Sequence, residues 1–168
     1  MYLNGNRFRA IERITKVNHN TVIRWVKKVG NQLPDSNSNY PIPEVGQLDE
    51  LETFIGQKKQ ALGLDSFRQE IWILEYVIGD RSAKKFAKLW KKIKHWQCYF
   101  WMTDGYKVYP KFLPDGDQII SKTSMTRVEG ENSRKRHYLA RLHRKTFCYS
   151  KSEEMLFLSI KLLIYYLK

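Results

Sequence analysis

The chain has 168 residues, with 30 Lys+Arg against 17 Asp+Glu and a formal charge of +13. At 42% apolar it can build a core, which excludes wholesale disorder, and its length suits one compact domain with a small appendage. The longest apolar stretch, Met155 to Leu167, is interrupted by Ser159 and Lys161 and is too short to span a bilayer; with no leader and only Cys98 and Cys148, the expectation is a cytoplasmic, nucleoid-associated protein with neither membrane anchor nor disulfide scaffold.

Residues 1–45 carry 7 basic and 3 acidic side chains. Within them Phe8 to Ile14 reads as a helix, with Ala10, Ile11 and Ile14 at helical spacing. After a short break, His19 to Lys28 reads as a second helix capped by Asn18, with Val22, Trp25, Val26 and Val29 on one face. Two short helices around a tight turn make a helix-turn-helix, although Lys16 stands where such turns usually have Gly. The second helix would enter the major groove with His19, Asn20, Arg24 and Lys27 near bases or phosphates. Only Met1–Asn4 remains for a preceding helix, so the module is expected to begin inside a longer one. Asn31 to Glu44, with three prolines and a Ser/Asn/Asp run, reads as a linker. The organisation expected is a module at 1–30, a linker at 31–44 and a second domain at 45–168.

Residues 46–80 reverse the charge, with 3 basic and 7 acidic side chains. Val45–Ile55 is expected as one strand with Asp49 in its middle, Ile71–Ile78 as a stronger strand, and a weakly patterned strand between them. Ser82–Trp96 is an amphipathic helix: Phe86, Leu89, Trp90, Ile93 and Trp96 form its apolar stripe, opposite a run of lysines between Lys84 and Lys94. Gln97–Thr103 is a buried strand closed by Asp104-Gly105, and Gln118–Lys122 a short one. A basic helix is expected within Ser124–Arg144, and a final helix over Ser150–Lys168 with a Ser150-Lys-Ser-Glu153 capping box. The order implies a layered α/β domain.

Three acids occupy informative places. Asp49 lies within the first strand, where a half-buried carboxylate is costly unless paired or metal-bound. Asp104 follows the apolar strand, at the end where ligands bind in open α/β sheets. Glu129 lies in the basic helix. Clustered carboxylates ionise together only beside a cation, and Mg²⁺ suits oxygen ligands and a polyanionic substrate. Each acid also has a plain reading: a turn residue at Asp104, an exposed edge-strand acid at Asp49, an offset to basic neighbours at Glu129. Lys/Arg excess makes nucleic acid the leading partner, since phosphate contacts supply most of such affinity.

The segments Asp104-Gly-Tyr-Lys-Val-Tyr-Pro110, Pro114-Asp-Gly-Asp-Gln118, Arg127-Val-Glu-Gly-Glu-Asn132 and Arg141-Leu-His-Arg-Lys-Thr-Phe-Cys-Tyr-Ser-Lys-Ser-Glu153 carry a family resemblance. With Leu48-Asp-Glu-Leu51, Gly56-Gln-Lys-Lys59 and Gly79-Asp-Arg-Ser82, the chain resembles the DDE transposases of the insertion-sequence-one type, particularly cyanobacterial forms. The resemblance implies a ribonuclease-H-like mixed sheet flanked by helices. It also implies divalent metal (Mg²⁺ or Mn²⁺) and cutting and joining of double-stranded DNA at element terminal inverted repeats and target sites, by a homodimer or larger assembly on DNA. It makes Asp49, Asp104 and Glu129 the catalytic and metal-binding triad. Asn132 and Arg136 would share the helical face of Glu129, to touch DNA or orient that acid. Arg134, Arg141, Arg144 and Lys145 are further DNA-binding candidates.

The chain departs from that family in three ways: it has no cysteine-rich zinc segment, its Gly56–Glu70 stretch lacks the usual Trp/Ile-rich strand, and it stops within its last helix. The alternative they suggest is a truncated, inactive copy that binds DNA and represses transposition. Glu131 is a substitute third acid. Asp80 is expected to cap a helix, Asp115 and Asp117 to shape a turn, and His137, His143 and Cys148 to be too few for zinc.

Overall fold

The computed structural model describes residues 1–34, 43–56, 58–63, 75–121, 130, 132–133, 136–143 and 149–166. Its elements are α1 (Phe8–Thr15), α2 (His19–Gln32), β1 (Val45–Leu48), β2 (Glu50–Ile55), β3 (Lys58–Gly63), β4 (Val77–Gly79), α3 (Ala83–Ile93), β5 (Phe100–Thr103), β6 (Gln118–Ile120) and α4 (Glu153–Tyr166). This is a mixed α/β chain. β1, β5 and β6 form a parallel sheet in that order, and β2, β3 and β4 a second sheet in which β3 and β4 are antiparallel. The chain divides into two compact units, one made of residues 1–35, 53–59 and 134–168, the other of 36–52 and 60–133.

In the first unit α1 and α2 meet at a tight turn. Lys16 takes the left-handed conformation (φ 60°) and its N–H bonds to the Glu12 carbonyl, so a lysine performs the turn that glycine usually makes. Asn18 caps α2 by accepting from the Asn20 N–H at 2.9 Å, as expected. Val22 and Val26 are buried with Ile11, Tyr2 and Leu162. Leu162 belongs to α4, so the C-terminal helix supplies the support that a preceding helix would normally give. Gly30 of α2 also lies so close to Leu158 of α4 that a Cβ there would come within 2.7 Å of its side chain. Trp25 and Val29 are exposed rather than buried with Val22 and Val26, because α4 covers a narrower face of α2 than the apolar spacing suggests.

Two further corrections fall in this unit. The basic helix expected within Ser124–Arg144 does not carry Arg141: the helical turns that include 136–138 stop before Leu139, which is extended and fully buried, and a 3-10 turn at Ala140–Leu142 follows. The cap of α4 is Ser152, whose Oγ accepts from the Met155 N–H at 3.2 Å. Ser150 instead pairs in parallel with Ile55, and its carbonyl accepts from the Gly56 N–H, so backbone pairing displaces it from the capping position.

The second unit is built around Leu48, Leu89, Ile93, Trp101, Tyr109 and Leu113, with Phe86, Trp90 and Trp96 packed against them. The stripe read on α3 is therefore the face that covers the parallel sheet. Gly46 on β1 pairs with Trp101 on β5, and a Cβ on it would lie 2.2 Å from the indole ring. The strand read as Val45–Ile55 is broken at Asp49: β1 pairs with β5 and β2 joins the other sheet, so the acid stands at the point where the chain changes sheets. A strand lies in the weakly patterned stretch, as expected, at β3. β4 is shorter than the run Ile71–Ile78, of which residues 71–74 lie outside the described residues.

Candidate functional site

Parallel pairing fixes the position of two of the three acids. β1 and β5 are adjacent with Leu48 opposite Thr103, so Asp49 and Asp104 are the next residues off the C-terminal ends of neighbouring strands. In a parallel sheet this is the rim where loops diverge and ligands bind. Asp49 is half-buried, and its Oδ2 accepts from the Asn132 side-chain amide. Asp104 is exposed and its Oδ1 accepts from the Tyr106 N–H at 3.0 Å. Gly105 between them has φ +84°, a conformation that favours glycine, and its N–H bonds to Thr103 Oγ1. Thr103 is fully buried and also accepts from Gln118 Nε2 at 2.8 Å, so strand and loop hold the aspartate turn from both sides.

A third carboxylate lies beside the pair and was not singled out from the sequence. Glu50 directly follows Asp49; its side chain is 13% exposed and forms an ion pair with Arg81. Tyr109 donates its hydroxyl to Glu50 Oε1 at 3.4 Å. Burial pushes the Glu50 carboxyl above the usual carboxylate range; Arg81 counters this, and the Asp104 charge adds to the rise. The Tyr109 phenol is likewise pushed up, chiefly by burial and then by the charges of Glu50, Asp104 and Asp49. It therefore stays a donor. Arg81 also lies over the Tyr106 ring, 4.4 Å from its centroid, and its carbonyl accepts from the Tyr106 hydroxyl at 2.6 Å. Only the acid-rich composition of 46–80 hinted at Glu50; its pairing with Arg81 is tertiary.

Glu129 lies outside the described residues, as do Glu131, Arg134, Arg144, Lys145 and Cys148. Among the described residues no three His, Cys, Asp or Glu side chains are grouped as metal ligands. Asp80 supports a cap rather than forming one: its Oδ1 accepts from Ser82 Oγ at 2.6 Å, and Ser82 caps α3. The Asp115-Gly-Asp117 segment is a turn, closed by the Asp117 N–H on the Pro114 carbonyl.

The residues read as DNA contacts separate by environment. Asn20 and Arg24 are exposed on α2, with Lys28 on the same side one turn further along. His19 Nδ1 is paired with Glu12 at 2.9 Å and Lys27 with Glu154 at 2.8 Å. Arg141 is buried with its guanidinium 4.1 Å from the Tyr2 ring centroid, and its carbonyl accepts from Thr53. Asn132 is buried beside Asp49, and Arg136 is half-buried.

The profile of a DDE-type family described as IS1 transposase matches residues 44–166. The chain belongs to the IS1 transposase family. It is 32% identical over 113 residues to the insertion element IS1 protein InsB of Shigella sonnei, a match covering 65% of this chain and 85% of that one. The IS1 9 protein InsB of Escherichia coli K12 and the IS1 protein InsB of Haemophilus ducreyi match at the same identity, over 66% of their length. No solved structure matches. The family match spans both strand-end aspartates, Asn132 and the Glu50–Arg81–Tyr109 cluster, and begins after the two N-terminal helices. Transposases of this DDE family use divalent metal, act in DNA transposition and bind DNA. Among the described residues no helix is long and apolar enough to cross a membrane.

Proposed function

We propose that this chain binds element-end DNA through the exposed face of α2 and cuts and joins DNA strands at a site built on Asp49 and Asp104, with Glu129 as the third acid. The observation that carries this reading is the Leu48–Thr103 register, which delivers two carboxylates to one rim of a parallel sheet. A ribonuclease-H-like arrangement of that sheet, and assembly as a dimer or larger on DNA, belong to the same reading.

The donor set suits a hard divalent cation: carboxylate oxygens on adjacent strand ends, one of them exposed to solvent. Asp49, Asp104 and Glu129 would hold Mg²⁺ or Mn²⁺, which supplies activation of the attacking oxygen and stabilisation of the leaving one. The protein's own groups set the geometry. Asn132 fixes the Asp49 carboxylate, the Tyr106 N–H fixes Asp104, and Arg81 neutralises Glu50 so that a further negative charge does not repel the phosphodiester. The nucleophile is water in cleavage and the freed 3′-hydroxyl in joining.

Asp104→Asn tests the assignment. It should abolish metal-dependent nicking of duplex DNA while gel retention stays intact. Surviving nicking would remove Asp104 from the site. A parent chain that retains DNA without nicking it would instead be the DNA-binding repressor.

A further inference from the structure

α3 carries five lysines, and the structure divides them into two groups. Lys85 Nζ donates to the Ile78 carbonyl at 3.2 Å, with its stem against Gly79, and Lys92 pairs with Glu75 at 2.8 Å. Lys84, Lys88 and Lys91 are exposed and have no ion pair or side-chain hydrogen bond among the described residues. At 100° per residue these three fall within an arc of about 60° on one side of the helix and span about 10 Å along it. Single-strand phosphates in B-DNA advance about 3.4 Å along the helix axis, so three flexible ammonium groups on that line suit about three consecutive phosphates. No acid lies between Arg81 and Gln97 to oppose them.

The line also has a direction. Its N-terminal end meets Arg81, which is paired with Glu50 next to Asp49 and stacked on Tyr106, whose N–H binds Asp104. We infer that Lys84, Lys88 and Lys91 form a track for the backbone of duplex DNA that leads to the Asp49–Asp104 rim, with Arg81 at its inner end. The track rests on the reading above that the substrate is DNA. It is distinct from the exposed face of α2, and a chain with both surfaces would hold DNA by two separate elements.

The test is the salt dependence of binding between the full chain and a duplex of unrelated sequence. Each phosphate contact contributes about 0.9 to the slope of log K against log[salt], so K84Q/K88Q/K91Q should reduce the slope by about 2.7 and weaken binding at low salt by more than about tenfold. Gln keeps the helix propensity of exposed positions, and circular dichroism checks the fold. R9Q/R13Q/K151Q removes the same charge from exposed sites outside α2, α3 and the Asp49–Asp104 rim and should change the slope little. Equal effects of the two triple variants, or an unchanged slope in the first, overturn the track while leaving the DNA reading standing. A parent chain that binds no duplex overturns the DNA reading itself.

Discussion

Asn132 donates its side-chain amide to the carboxylate of Asp49, across 83 residues of sequence. The amide is buried and the acid half-buried, so the bond fixes which way Asp49 faces rather than adding to a solvated surface. A group that orients a metal-binding carboxylate typically contributes 10- to 100-fold to metal affinity or activity. Asn132→Ala should therefore lower nicking by about that factor and raise the Mg²⁺ concentration needed for half-maximal rate, with DNA retention unchanged. A metal titration of nicking reads both, and an unaltered metal requirement would show that Asn132 does not act through Asp49.

Glu50 and Arg81 should set a pH dependence of stability. Burial raises the Glu50 carboxyl in the folded chain, so the native state holds that proton more tightly than the unfolded one. Its contribution is full below the ordinary carboxylate pKa and is lost as pH rises through the elevated native value. Arg81→Met removes the group that counters the rise, so the loss should become larger and extend to higher pH. Urea unfolding midpoints taken between about pH 4 and 7 should fall more steeply for Arg81→Met than for the parent. Adding Glu50→Gln to Arg81→Met should flatten the profile, and a profile that stays steep would place its origin elsewhere.

Gly46 lies against the Trp101 indole with no room for a Cβ. Gly46→Ala must displace a ring packed against Trp90 and Trp96, so a destabilisation of about 1–3 kcal/mol is expected. Because β1 and β5 also carry the two aspartates, nicking should fall by more than the loss of folded protein accounts for. Denaturant melts beside nicking rates per folded molecule separate the two effects.

Lys16 offers the opposite sign. A non-glycine residue in the left-handed region costs about 1 kcal/mol, and glycine returns part of that gain through the greater freedom of the unfolded chain. Lys16→Gly should stabilise the first unit by about 0.5 kcal/mol, read as a higher urea midpoint. A lower midpoint would mean that the lysine side chain itself supports the turn.

The sequence made some of this legible and hid the rest for physical reasons. α3 was readable because Phe86, Leu89, Trp90 and Ile93 repeat at helical spacing against one sheet, and β5 because Trp101 and Thr103 alternate inward. The position of Asp104 at a strand end followed from the same patterns, whereas Asp49 was expected in the middle of a strand. The break at Asp49 was not readable, since Leu48, Leu51 and Thr53 are buried on both sides of it and alternation alone does not say which neighbour a strand pairs with. Trp25 looked buried because helical spacing defines a face but not the width of what covers it. The Glu50–Arg81–Tyr109 cluster joins three segments through long-range contacts, which local pattern cannot encode.

The support of α1 and α2 by α4 also sets an order in time. Leu162 packs with Val22 and Val26, and Leu158 lies against Gly30, so α1 and α2 find part of their apolar cover on a helix that starts only at Glu153. At synthesis rates of about 5–20 residues per second, the ribosome exposes α2 many seconds before α4 emerges. During that interval the helices have a capped turn but lack part of their core. The α2 surface therefore takes its final shape only after α4 has left the ribosome.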